Sequence, residues 1–168
     1  YNFLIGEVVP KTMDKENRVS DVWSDNLFVH IISNNQLYWH DESHGLAVYN
    51  EDRLEVNVAG DAMISFTGCA YGDTASIVPA ITTGTITSES GQQFSGLGDG
   101  KDGQEVVFSY TGDATKIVFT VKASKEAYLH KLTVKNEVKL DNPDDKRIKV
   151  WDFSGVEESD ASLYYNQI

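Results

Sequence analysis

The sequence has 168 residues and a mass of 18.7 kDa, the size of one domain that can bury a core without disulfide or metal staples. Fourteen Lys and Arg against 26 Asp and Glu leave a net charge of −12, which speaks against nucleic acid and anionic membrane as partners. A single cysteine, Cys69, excludes an internal disulfide framework and a cysteine-based zinc site, and no apolar run approaches the roughly 18 residues of a membrane span.

The chain opens on Tyr1-Asn2-Phe3-Leu4-Ile5, which reads as a strand. No signal-peptide pattern precedes it, so a processed product or an excised module is expected. Residues 13–19 offer one short helical turn, and no longer helix is evident. Residues 28–32, 53–58, 62–67, 105–110, 116–122 and 127–135 are short runs rich in Val, Ile, Thr, Phe and Tyr, and all read as strands. Alternation within them assigns faces. It sends Leu54, Val56 and Val58 inward, and likewise Ile117, Phe119 and Val121. In the last run it groups Tyr128, His130, Leu132 and Val134 on one side, with Leu129 the exception on the other.

Between the runs stand Gly60-Asp61, Gly72-Asp73 and Gly112-Asp113, the chemistry of hairpin turns. Pro79 cannot donate a ladder hydrogen bond, so its run belongs at a sheet edge or bulge. Many short strands with this punctuation predict an all-β fold, an antiparallel β-sandwich of jelly-roll type, over residues 1–136. Residues 137–147 carry Pro143 and several charges and read as a linker. Residues 148–168 form a C-terminal strand-like segment, in which Trp151-Asp152-Phe153 echoes Tyr1-Asn2-Phe3. It either docks on the body or begins a following unit.

Chemistry concentrates in Tyr38-Trp39-His40-Asp41-Glu42-Ser43-His44-Gly45. His40 and His44 have the four-residue spacing of a metalloprotease helix, but Asp41 stands where that motif needs Glu, and Gly45 and the flanking strands oppose a helix. His130 is the candidate third ligand. The competing reading is a loop whose histidines bond backbone or contact a ligand. Gly98-Asp99-Gly100-Lys101-Asp102-Gly103 has the composition of a calcium loop without its acidic ladder or terminal Glu. A structural calcium elsewhere remains open, since oxygen-rich loops and acidic charge suit a hard cation. Cys69, at a strand end, reads as an inert core thiol.

Three Trp and eight Tyr exceed what a small sandwich core needs. Sugar rings lay an apolar C–H face on aromatic rings while polar side chains bond their hydroxyls. Trp23, Tyr38, Trp39, Tyr49, Tyr71 and Tyr128 are the candidate platforms, with Trp39 and Tyr71 the most outward by their polar surroundings. Lys116, Lys122, Lys125, Lys131 and Lys135 suggest a mildly basic strip on one exposed face of an acidic body.

Residues 39–50, 108–115 and 127–134 resemble β-sandwich accessory modules that stand beside pectate lyase and pectinesterase domains in large secreted bacterial proteins. The resemblance implies an extracellular, non-catalytic carbohydrate-binding role beside a catalytic domain on the same parent chain. Polygalacturonate is an anion that a charge of −12 repels, so neutral pectin side chains such as galactan or arabinan fit the charge better. The expected ligand is therefore plant cell-wall polysaccharide, and the expected state a monomer. Trp39, His44, Tyr71, His130, Tyr38 and His40 are the expected contacts, with Trp39 or Tyr71 stacking and the histidines bonding hydroxyls. The rival readings are a structural spacer, a lyase or hydrolase using carboxylates, and adhesion through an edge strand.

Overall fold

The computed structural model describes residues 1–89, 91–95 and 103–137. All of the linker but Glu137, the C-terminal segment and most of the candidate calcium loop lie outside the described residues. Within them the chain builds eleven strands: β1 (Val19–Trp23), β2 (Val29–Trp39), β3 (Leu46–Val48), β4 (Arg53–Val58), β5 (Ala62–Ala70), β6 (Thr74–Ala80), β7 (Thr85–Ser88), β8 (Gln93–Ser95), β9 (Gln104–Thr111), β10 (Thr115–Ala123) and β11 (Ala127–Asn136). Every pairing is antiparallel. Among the described residues no helix is long and apolar enough to cross a membrane.

The strands run in the order β7-β9-β5-β11-β3-β2-β4-β10-β6-β8, with β1 on β2. The long strand β2 joins two layers. Its first half, Val29 to Ile32, pairs with β4, and its end, Tyr38 and Trp39, pairs with β3. One continuous curled sheet therefore folds over itself as a sandwich or half-barrel, as the strand pattern predicted. The first layer holds β7, β9, β5, β11 and β3; the second holds β1, β4, β10, β6 and β8.

Alternation fixes what fills the space between the layers. Leu54, Val56, Ile117, Phe119 and Val121 are fully buried, as their parity requires. Phe119 of the second layer meets Phe66 and Phe108 of the first, with ring centres 4.8 and 5.1 Å apart. Burying each such ring stabilises by about 1.5–3 kcal/mol, and Phe119→Ala would cost about 3–5 kcal/mol. The three Gly-Asp pairs all sit in turns. Pro79 pairs with Phe119 on one side, while β8 reaches only Thr74 to Ser76 on the other. Its missing N–H thus falls beyond the neighbouring strand, on an edge.

Three expectations need correction. Residues 3–5 form a 3-10 turn instead of a strand, because the Asn2 side chain accepts the Leu4 N–H at 3.1 Å and Gly6, at φ +85°, closes it with N–H to the Phe3 carbonyl. In β11 the register slips between Leu129 and Lys131, so His130 is an extra residue in a bulge. The bulge reverses the alternation. Leu129 and Leu132 both join the core, Tyr128 joins a separate cluster, and the expected common face of Tyr128, His130 and Leu132 does not exist. The lysines also fail to share a face. Lys116 and Lys122, on β10 in the second layer, pair with Glu55 and Glu51, whereas Lys131 and Lys135 lie on β11 in the first.

Candidate functional site

The first layer carries an aromatic row on its outer side. Cys69, Tyr128, Ala47 and Tyr38 are successive cross-strand partners on β5, β11, β3 and β2. With Tyr49 they form an apolar cluster distinct from the main core. Tyr38 and Tyr128 are its buried floor, and burial pushes both phenols upward, that of Tyr128 to about 12. Tyr71, from the β5–β6 turn, meets the Tyr128 ring edge-on at 6.3 Å and remains 45% exposed. Cations cap both ends: the Arg18 guanidinium lies 4.7 Å over Tyr38, and Lys125 lies 5.6 Å over Tyr71.

The β2–β3 loop places two imidazoles on this row. His40 and His44 pack against Tyr128 with centres 5.2 and 4.7 Å away and planes near perpendicular, and lie 4.4 Å from each other. Asp41 organises the loop. Its Oδ1 accepts the Ser43 and His44 N–H groups at 2.8 and 2.9 Å and lies 2.7 Å from His44 Nδ1, while Oδ2 lies 2.8 Å from His40 Nδ1. Burial works to raise the Asp41 carboxyl, but the His44 ring, the Ser43 N–H, the His40 ring and the His44 N–H outweigh it and hold it well below the usual carboxylate range. An ionised carboxylate only accepts, so both Nδ1 atoms carry the proton. Gly45 ends the loop at φ +70°, and a Cβ there would lie 2.6 Å from the Leu129 carbonyl oxygen. The metalloprotease helix is therefore absent, as Gly45 required, yet His40, Asp41 and His44 each offer a ligand atom within 4.8 Å of the others.

The remaining expected contacts separate from this row. Trp39 is half-buried and clamped: its Nε1–H donates to the Phe3 carbonyl at 2.9 Å, and Lys11 lies 5.1 Å over the ring. It is not an open platform. His130 is buried in its bulge beneath Gly103, where a Cβ would come within 2.5 Å of the imidazole Nδ1. The third member of the histidine group is accordingly Asp41 and not His130.

The second layer holds a further open ring. Trp23 on β1 is 46% exposed and stacks on its cross-strand partner His30, with centres 3.9 Å apart and planes within 7°. Carboxylates flank both nitrogens of His30, Asp21 at 3.0 Å and Glu55 at 3.5 Å, and Lys116 holds Glu55 at 3.0 Å. Beside this row Asp21, Ile32, Arg53 and Thr120 follow one another across β1, β2, β4 and β10. The result is a sheet face on which an indole backed by His30 stands among charged groups of both signs. Trp23 was among the candidate platforms, but its partner was not. Alternation in residues 28–32 sets His30 opposite Val29 and Ile31, and that was the available signal.

The chain matches no family model, no curated protein and no solved structure. The likeness to pectinase accessory modules thus rests on the three sequence stretches alone.

Proposed function

We propose that this chain is a non-catalytic carbohydrate-binding module. It recognises plant cell-wall polysaccharide, with neutral pectin side chains the best fit to its charge, and serves a catalytic domain on the same secreted parent chain. The observation that carries this reading is the stack of Trp23 on His30, with 46% of the tryptophan open to solvent. An indole backed by an immobilised imidazole loses little freedom when a sugar ring covers its outer face. Asp21, Arg53 and Lys116, on β1, β4 and β10 of the same sheet, supply charged groups for hydroxyls. An open sheet face can admit a polymer passing across it, and the tether would raise the local substrate concentration for the enzyme. Tyr71 and the exposed edge of His40 form a second, smaller contact area on the other layer.

Affinity electrophoresis over pectins, galactans, arabinans and xylans tests the proposal. Retardation by at least one neutral polymer is expected, without release of reducing sugar or unsaturated product. No retardation by any polymer overturns it in favour of a spacer, and product release overturns it in favour of an enzyme.

A further inference from the structure

We infer that His40, Asp41 and His44 form a binding site for a divalent transition-metal ion, zinc(II) or copper(II). The inference is independent of the saccharide face around Trp23, which lies on the other layer. Two imidazole nitrogens and one carboxylate oxygen make a donor set that suits these ions, whereas calcium and magnesium take oxygen donors.

The donors are already gathered. All three ligand atoms lie within 4.8 Å, and the Asp41 carboxylate sits 2.7 Å from His44 Nδ1 and 2.8 Å from His40 Nδ1. Zinc–nitrogen bonds of about 2.0–2.1 Å in a tetrahedral site space ligand atoms roughly 3.3 Å apart. Opening the two contacts by about half an ångström is a small side-chain rotation at that scale. Binding through Nδ1 displaces the proton there to solvent while Nε2 takes one up from water, so the imidazole that binds is neutral and this exchange of tautomer releases no net proton.

The surroundings limit how far the group can relax. The Tyr128 ring supports both imidazoles, Asp41 is fixed by two backbone N–H groups, and Gly45 locks the loop against the Leu129 carbonyl. Glu42, the other acid of the loop, is engaged with Lys11 at 2.7 Å and does not compete. His30 makes a useful contrast. Its carboxylates approach opposite ring nitrogens, Asp21 at Nε2 and Glu55 at Nδ1, so they flank the ring instead of converging with it. Three protein ligands leave a coordination position for water, and His40 is exposed enough to admit the ion.

The test is calorimetric titration of the tag-free chain with zinc chloride, paralleled by visible absorption with cobalt(II). One ion per chain is expected. Affinity should fall at least tenfold in His40→Gln, in His44→Gln and in Asp41→Asn, and His30→Gln should bind as the wild type does. Circular dichroism without metal establishes that each variant folds, and His40, being exposed, supplies a readout even if the loop variants do not. No saturable binding to the wild type overturns the inference, as does unchanged affinity in His40→Gln.

Discussion

The imidazole of His30 lies flat beneath the indole of Trp23, 3.9 Å between centres and 7° between planes, and carboxylates at both nitrogens hold it there. His30 need not touch a ligand to matter, because it fixes the orientation of the ring that would. His30→Ala should therefore weaken polysaccharide binding severalfold while shifting the melting temperature little. His30→Phe keeps a flat ring under the indole and should restore most of the affinity. Equal loss in both variants, read by affinity electrophoresis, would remove the positioning role.

Trp39 behaves differently. Its Nε1–H donates to the Phe3 carbonyl at 2.9 Å, an oxygen that also accepts the Gly6 N–H, so removing the indole donor loses one hydrogen bond, about 0.5–1.5 kcal/mol. Trp39→Phe should lower unfolding stability by that amount and leave polysaccharide affinity unchanged. Denaturant unfolding and electrophoresis on the same preparation check both halves. Lost affinity at unchanged stability would return Trp39 to the binding face.

Gly45 and Gly91 form a natural pair of controls. Both have positive φ, +70° and +81°, but a Cβ on Gly45 would meet the Leu129 carbonyl at 2.6 Å, while one on Gly91 meets nothing within 4 Å. A strained backbone position costs about 1–3 kcal/mol, so Gly91→Ala should lose no more than that. Gly45→Ala should lose clearly more, and should also disturb the histidine loop. Similar urea midpoints for the two variants would contradict the close approach.

Asp52 supplies the pH dependence. It is 3% exposed, and burial raises its carboxyl above the ordinary value of 3.8 against the opposing effects of the Ser33 hydroxyl and the Tyr49 N–H. A carboxyl raised in the folded state contributes stability that is complete below the unfolded value and is lost as pH rises through the folded one. Asp52→Asn keeps an oxygen for the Tyr49 N–H and has no charge to bury. The variant should therefore gain on the wild type as pH rises from about 4 toward neutrality. A stability difference that is flat across that range would mean that Asp52 ionises in the fold without penalty.

Much of the architecture was legible because it depends on local pattern. Parity in residues 53–58 and 116–122 located core side chains correctly, and Gly-Asp pairs marked turns, since both signals are written within a few residues. What escaped depends on distant partners. The His130 bulge exists only relative to β5, whose Gly68 and Thr67 flank the slip, so alternation in β11 alone points the wrong way. The N-terminal residues read as a strand because their apolar pattern outweighed the capping Asn2 and Gly6.

The candidate site shows the same division. Residues 40–45, with two histidines, two acids and Gly45, read as a loop, and the structure packs His40 and His44 on Tyr128. Tyr71 remains exposed as its polar surroundings suggested. Trp39 looked outward for the same reason, but its hydrogen-bond acceptor, Phe3, stands 36 residues earlier in the chain. Nothing between the two positions announces that contact.

The proposed function turns on Trp23 as a saccharide platform. Calorimetric titration of a neutral pectic galactan or arabinan into the wild type and Trp23→Ala, side by side, tests it most directly. Saturable binding to the wild type is expected, with a loss of roughly 1–3 kcal/mol in the variant, by analogy with stacking of bases on aromatic rings, and a melting temperature nearly unchanged. Equal affinity in the two proteins, or no binding of either polymer to the wild type, would contradict it.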